Sequence, residues 1–398
     1  AQNVRIDALR QFAKGLPGVR VAENYLYMCS EPGQEMIRKD ITENKLNRIV
    51  VVACSPRMHE PTFRNAMKGA GLNPYCLEMA NIREQCAWVH KDADTATAKA
   101  KSLLAAAITK VSLLEPLEER EVPVTKTAMV IGGGIAGIQA ALDIADSGFK
   151  TYLVEKDASI GGHMMQLDKT FPTLDCSACI LTPKMADIKN HPNIELLAYS
   201  EVTDVKGFVG NFKVSVKRKP RYIDETICNA CGSCASYCAI AIKDGFNEGL
   251  SKLQALHIPF PQAIPAAYVI DPLACRYTRE GSCRQCEQVC KDLNAINLDM
   301  QEETIEVDVG TIMVATGFEV FDANRKPELG YGRYENVITG MEFERIVSAS
   351  GPNQGELLIN GTKPKEVVFI QCVGSRDKSV GNEYCSRVCC MYTAKHAH

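Results

Sequence analysis

The chain has 398 residues, enough for two or three domains with cores of their own, and a formal net charge of −3 with 23% charged residues. That balance argues against a nucleic-acid surface or a disordered tail, and no apolar run nears the roughly 20 residues that span a bilayer. The unusual figure is 18 cysteines. In a chain this large, whose opening AQNVRIDALR lacks signal-peptide architecture, they suit metal or redox chemistry better than a disulfide scaffold, and they point to a reducing cytoplasm.

Residues 1–120 read as an N-terminal α/β domain. Short apolar strands at Val19–Ala22, Arg48–Ala53 and Pro74–Met79 alternate with helical stretches at Glu31–Lys45, Glu60–Gly69 and Ala93–Leu114, and Pro116 is a stop signal. Of its cysteines, Cys29 and Cys54 follow strand-like runs, which puts them on loops at strand ends, where ligands gather in open sheets. Buried, inert thiols are an equally weighted alternative for this domain's cysteines. Glu118–Lys126 is polar and contains proline, as a linker would.

Residues 121–220 carry the first part of a Rossmann-type domain. Ala128–Gly137 reads AMVIGGGIAG, a strand breaking into glycines and resuming as a helix. Gly132 would make the tight turn, Gly134 would let a pyrophosphate approach, Ala136 lies in the same loop, and Gly137 would allow close helix–strand packing. Thr151–Glu155 is a second strand ending in Glu155, about 20 residues past the loop, where a ribose-binding carboxylate belongs; Lys156 follows it. Next come Gly161–Gly162 and the pair Cys176-x-x-Cys179. The pair is a candidate dithiol facing a flavin, and a structural or flavin-shielding role stays open beside it. Residues 194–219 alternate as paired strands around a glycine-containing turn.

Residues 221–300 are of a different kind. Cys228-x2-Cys231-x2-Cys234-x3-Cys238 is the bacterial ferredoxin run, with Ala239 in place of the usual proline. The partner run is Cys275-x7-Cys283-x2-Cys286-x3-Cys290. Because the fourth cysteine usually serves the other cluster, Cys228, Cys231, Cys234 and Cys290 would hold one [4Fe–4S] cluster, and Cys275, Cys283, Cys286 and Cys238 a second. Zinc is the rival metal, but structural zinc prefers isolated sets of four with pairwise spacing.

Residues 301–398 return to strand patterning. Gly310–Gly317 (GTIMVATG) resembles the second flavin-domain signature, with Ala315, Thr316 and Gly317 beside the adenosine end of the cofactor. The cysteine-rich block is therefore inserted into a flavoprotein fold. After another strand at Val367–Ile370 come Cys372, Cys385, Cys389 and Cys390, whose spacing alone is a weak cluster signal, and Lys395, a candidate cation beside the flavin.

Read in order, MCSEPGQ, ACSPRMHEPTFR, NIREQCAWVH, VIGGGIAGIQAALDIADSGF, GGHMMQLDKTFPTLDCSACILTPKM, the ferredoxin insert and CVGSRD…YCSRVCCMYTAKHA resemble the flavin-bearing chain of heterodisulfide reductase, over nearly the whole length. The resemblance implies a thioredoxin-reductase-like FAD domain, a two-cluster ferredoxin insert of α+β type, and electron bifurcation. Electron pairs would enter from a hydrogenase or formate dehydrogenase partner. They would leave toward the B and C subunits of heterodisulfide reductase, which cleave the coenzyme M–coenzyme B heterodisulfide, and toward ferredoxin, within a dimer of multi-subunit complexes. It further implies that Cys372, Cys385, Cys389 and Cys390 ligate a cluster near the flavin, and that Cys29, Cys54 and Cys86 are candidate ligands of an N-terminal cluster. Family members begin with a further cysteine-bearing strand and continue into another ferredoxin module, so the chain is expected to be a truncated piece at both ends.

Three other functions compete. A flavoprotein of a quinone-linked or sulfur-metabolism complex would generally lack the insert. A plain flavin–ferredoxin reductase would need a second glycine-rich nucleotide loop, which QCVGSRD is not. A wiring scaffold whose flavin does no chemistry differs from all of these in leaving its flavin unreduced by a donor enzyme.

Overall fold

The computed structural model describes residues 3–398 and divides them at the expected linker into two units, one ending at Glu121 and one beginning at Val122.

In the first unit the chain runs α1 (Ile6–Lys14), α2 (Glu31–Asn44), β1 (Ile49–Ala53), α3 (Pro56–Gly69), β2 (Leu77–Asn81) and α4 (Ala93–Ser112). β1 and β2 pair in parallel, Val51 opposite Met79, so each strand needs a helical crossover. Ile37 and Ile41 from α2 and Phe63 and Met67 from α3 bury against Val51 and Met79. Ala96, Ala100 and Leu104, at the 3.6-residue spacing of one α4 face, pack with α1. Two expectations need correction. Val19–Ala22 is irregular rather than a strand, and α1 lies where none was expected. Four residues without a pairing partner do not make a strand, whereas α1 is held by burying Leu9 and Ala13.

The second unit opens with β3 (Thr127–Ile131), α5 (Ile135–Asp146), β4 (Lys150–Val154), α6 (Gly162–Gln166), α7 (Ser177–Asn190) and β5 (Ile194–Leu197). A hairpin follows, β6 (Ser200–Phe208) and β7 (Asn211–Arg218). The insert then contributes α8 (Ser233–Ser236), β8 (Ala241–Lys243), β9 (Lys252–Gln254), β10 (Leu256–His257), β11 (Val269–Ile270), α9 (Arg276–Glu280) and α10 (Gln285–Val289). The chain returns with β12 (Glu303–Val309), β13 (Thr311–Val314), α11 (Gly340–Val347) and α12 (Cys389–Ala397).

Strand alternation builds this unit in layers. The parallel sheet has the order β13-β3-β4-β5, and the antiparallel sheet the order β12-β7-β6. Val130 and Leu153 point to one face, where Ile138 and Leu142 of α5 and Leu181 and Met185 of α7 cover them. Their neighbours Met129 and Val154 point to the other, against Val214, Val216, Val307 and Val309 of the antiparallel sheet. β5 thus joins the parallel sheet rather than the hairpin with which its sequence was grouped. Val367–Ile370 forms no strand; Val368 is 84% exposed there, so no burial rewards the extended form.

The insert is not a bead on a string. Phe246, Ile258, Phe260, Ala263 and Ile264 pack into the core shared by α5 and α7. Ile160 N–H donates to the Ile264 carbonyl (3.1 Å). Arg345 of α11, completely buried, donates to Asn247 Oδ1 (2.8 Å) and to the Gln166 carbonyl (2.8 Å), and lies over the Phe246 ring at 4.6 Å. Arg345→Met should strand both acceptors and cost about 3 kcal/mol. A thermal melt of the holoprotein should fall by about 5 °C or more, and an unchanged midpoint would refute this tie.

Candidate functional site: a glycine crevice and three cysteine groups

The crevice forms where β3 and β13 end. Gly132 has φ 108°, and a Cβ there would stand 2.3 Å from the Ala315 carbonyl oxygen. A Cβ on Gly137 would lie 1.8 Å from the Gly132 carbonyl oxygen. A third glycine not singled out from the sequence, Gly133, is equally closed: a Cβ would meet Ile160 at 2.6 Å. Gly134 differs, because a Cβ there meets nothing within 4 Å. Three glycines are needed to let protein segments touch; the fourth leaves open backbone, which is what approach of a pyrophosphate requires.

Glu155 stands just past β4. Its Oε2 accepts from Gly133 N–H (2.6 Å) and its Oε1 from Asp157 N–H (2.9 Å). Burial pushes this carboxyl above its ordinary value, against those two bonds. It therefore braces the glycine loop. Lys156 is exposed, and its carbonyl accepts from Lys219 Nζ (3.1 Å). Ala136 is exposed at the start of α5. Gly161 N–H donates to the Gly133 carbonyl (2.7 Å), and Gly162, at φ 54°, lies against Gly134. Ala315 N–H donates to the Ile131 carbonyl (2.8 Å), while Thr316 and Gly317 are exposed beyond the sheet. The residues expected at the nucleotide therefore converge outside the carboxyl ends of parallel strands.

Among the described residues, no three His, Cys, Asp or Glu side chains crowd together as they would around a single ion. The cysteines form looser groups. Burial pushes the Cys234 thiol up to about 12, and its sulfur neighbours Cys290, Cys228 and Cys231 add to the rise. Burial likewise pushes Cys286 up to about 11, with Cys275, Cys283 and Cys238 adding to it. Cys290 thus lies near Cys234, and Cys238 near Cys286. Cys390 is raised first by Cys389, then by desolvation, and further by Cys372 and Cys385. Two of the cysteines, Cys283 (φ 122°) and Cys372 (φ 59°), adopt the left-handed backbone that L residues avoid.

The N-terminal cysteines are not gathered this way. Cys54 follows β1 and Cys86 lies in a π-helical turn, Arg83–Ala87, after β2, so both sit at the carboxyl end of that sheet. Cys86 is fully buried, its thiol raised by that burial, while Cys29 is exposed in the turn before α2.

Cys176 and Cys179 are joined as a disulfide at the start of α7. Lys395 is neither free nor solvated. Its ammonium pairs with the buried Glu344, which also accepts from His396 Nε2 (2.5 Å) and, through Oε2, from Asp168 N–H (3.0 Å). Glu344 thus ties α12, which carries Cys389 and Cys390, to the segment leading to the disulfide. Sequence spacing had no signal for Glu344, since its partners lie 51 and 52 residues away.

Known proteins resemble this chain in sequence. The model of FAD dependent oxidoreductases matches residues 128–172, which span the glycine loop, Glu155 and Gly161–Gly162. Residues 128–172 therefore carry the pattern of an FAD dependent oxidoreductase. Among solved structures, the thioredoxin reductase of Lactococcus lactis aligns with 23% of this chain and 30% of its own at 22% identity, with a TM-score of 0.20. The chain is 55% identical, over 99% of its length, to the A subunit of the H(2):CoB-CoM heterodisulfide,ferredoxin reductase of Methanothermobacter marburgensis, of which it covers 59%. It is 54% identical to an iron-sulfur A subunit of the CoB--CoM heterodisulfide reductase of Methanopyrus kandleri, over 99% of this chain and 60% of that one. With the A subunit of the H(2)/formate:CoB-CoM heterodisulfide,ferredoxin reductase of Methanococcus maripaludis the identity is 49%, over 99% and 59%. The chain is a homologue of the A subunits of heterodisulfide reductases, and it spans about three fifths of the length of these curated relatives.

The crevice and the ion pair can each be tested. Gly134→Val should melt like the wild type yet lose FAD, whereas Gly137→Ala, driven into the Gly132 carbonyl, should lower the melting temperature; equal FAD content in the Gly134 variant would refute the crevice. At Glu344, burial opposes ionisation, but the bonds from His396 and Lys395 prevail and hold the carboxyl below its ordinary 4.5. A depressed carboxyl contributes stability above its unfolded value and loses it as pH falls through the folded one. The stability gap to Glu344→Gln should therefore be full at neutral pH, about 3 kcal/mol, and shrink below about pH 4. A gap independent of pH in thermal melts would refute the ion pair.

Proposed function

We propose that this chain is the FAD- and iron–sulfur-bearing part of a bifurcating heterodisulfide reductase. It would accept electron pairs from a hydrogenase or formate dehydrogenase and divide them between the coenzyme M–coenzyme B heterodisulfide, through the B and C subunits, and ferredoxin. The observation that carries the proposal is the 49–55% identity, over 99% of this chain, to A subunits of heterodisulfide reductases, and the ferredoxin spacings Cys228–Cys238 and Cys275–Cys290 in the unit that holds the glycine crevice support it. When bound, FAD supplies two-electron exchange, whereas each [4Fe–4S] cluster supplies one-electron exchange.

The chain's own residues do the holding. Gly134 presents bare backbone to the diphosphate, Glu155 keeps the loop in shape, and Ala315–Gly317 lie across the adenosine end. Cys228, Cys231, Cys234 and Cys290 would ligate one cubane, Cys238, Cys275, Cys283 and Cys286 a second, and Cys372, Cys385, Cys389 and Cys390 a third. Neighbouring sulfurs help make Cys234, Cys286 and Cys390 harder to ionise, and iron would reverse that cost because a cation favours the thiolate. Cys29, Cys54 and Cys86 are assigned to a fourth cluster only as partial ligands. Cys176 and Cys179 serve as a dithiol pair, and Lys395, through Glu344, holds α12 in place.

The names of the relatives support the heterodisulfide pathway over a quinone-linked one, and the ferredoxin insert supports it as well. No helix of the described residues is long and apolar enough to cross a membrane. Anaerobic quantification should find one FAD and about twelve iron atoms and twelve sulfides per chain. Iron near eight would remove the cluster at Cys372–Cys390, and absence of flavin would remove the reading as a whole.

A further inference from the structure

The two cysteine runs of the insert differ in what surrounds their sulfurs. Cys228, Cys234 and Cys290 pack in one core with Ile223, Leu256 and Ile296, whereas Cys231 is exposed. Four thiols drawn from both runs suit a cubane, which takes four thiolates. The loop at Cys231 is held in shape from several sides. Its N–H donates to Asn229 Oδ1 (3.2 Å), and Gly232 turns the chain at φ 83°, a left-handed conformation that favours glycine. A Cβ on Gly232 would stand 3.1 Å from Tyr268 Oη, so the turn is closed on that side. A cleft of about 430 Å³ opens beside it, where Cys231, Ser233, Gln254 and Tyr268 meet water.

The turn brings Ser233 back toward the cysteine two residues before it. Cys231 Sγ lies 3.6 Å from Ser233 Oγ, and among the described residues the hydroxyl has no other hydrogen-bond partner. A free thiol donates across that gap. A thiolate has no proton and only accepts, so once the sulfur is ionised the hydroxyl is the donor. The second run lacks such a group. Two residues after Cys283 stands Gln285, and Arg284 occupies the place of the turning glycine. Among the described residues, no side-chain hydroxyl is hydrogen-bonded to the sulfur of Cys238, Cys275, Cys283 or Cys286.

We propose that Ser233 sets the reduction potential of the cluster bound at Cys231, its O–H···S bond raising that potential above the value the same loop would give without a hydroxyl. The proposal rests on the reading of Cys228–Cys290 as the ligands of two [4Fe–4S] clusters. Reduction adds one electron, and with it negative charge shared by iron and thiolates. A donor aimed at a ligating sulfur therefore stabilises the reduced form more than the oxidised one, which is how hydrogen bonds to the sulfurs tune such centres. Water in the cleft takes over part of this role when the hydroxyl is removed, so the effect is moderate. One side chain thus helps to separate two clusters that cysteine spacing alone would leave alike.

The test is an anaerobic redox titration of the iron-loaded full chain, followed by EPR of the reduced clusters. Ser233→Ala should lower one cluster's one-electron equilibrium constant about threefold, roughly 28 mV at 59 mV per tenfold, and leave the other midpoints in place. Ser233→Thr, which keeps the hydroxyl, should hold the wild-type value. Ser233→Val, of the same shape as threonine, should match Ser233→Ala. Equal midpoints for the Thr and Val proteins, or an equal shift in every cluster, overturn the proposal. Iron lost from the Ala and Val proteins alone overturns it too, because the hydroxyl would then be a prop for assembly. If the reduced wild type gives no [4Fe–4S] signal at all, the reading of the insert falls, and the proposal with it.

Discussion

The crevice of the second unit depends on contacts at glycines where no further side chain fits. Gly132 touches Ala315, Gly137 touches Gly132, and Gly133 touches Ile160, each closer than a Cβ would permit. These contacts bring the ends of β3 and β13 and the loop before α6 to one place. The carboxylate of Glu155 closes the arrangement by accepting from Gly133. Of these four glycines only Gly134 would carry a Cβ into open space, so the crevice opens there.

A second constraint concerns distance. The cysteine insert is held firmly. Its middle segment, Phe246 to Ile264, is part of the same core as α5 and α7, and Arg345 pins Asn247 to Gln166. On the other side, Glu344 binds α12 to the segment before the disulfide. Adjacent residues of α11 thus secure two of the cysteine-bearing regions, one through a buried cation and the other through a buried anion. Each charge is paired or fully hydrogen-bonded, as burial requires.

Much of this was legible in the order of residues. Strand, glycine loop, helix, strand and acid follow one another locally, so β3, α5 and β4 could be placed within a residue or two. The cysteine runs at 228–238 and 275–290 stand out in the sequence because ferredoxin spacing is a short-range code. Less visible was anything resting on burial alone. Val19–Ala22 and Val367–Ile370 have the composition of strands but find no partner, since a strand exists only with its neighbour. Lys395 had the look of a surface or flavin-side cation, and only its packing against Glu344 revealed an ion pair.

The sequence by itself determined which chemistry-bearing residues stand close along the chain, a glycine loop, two cysteine runs of ferredoxin spacing and a further cysteine set, because these depend on residue types at fixed short spacings. Tertiary structure alone decided how they are mounted. That Gly133 is as constrained as Gly132 and that the insert shares the flavin-domain core both depend on contacts between residues far apart in the chain. Such contacts follow from the packing of buried surfaces, which no local spacing encodes.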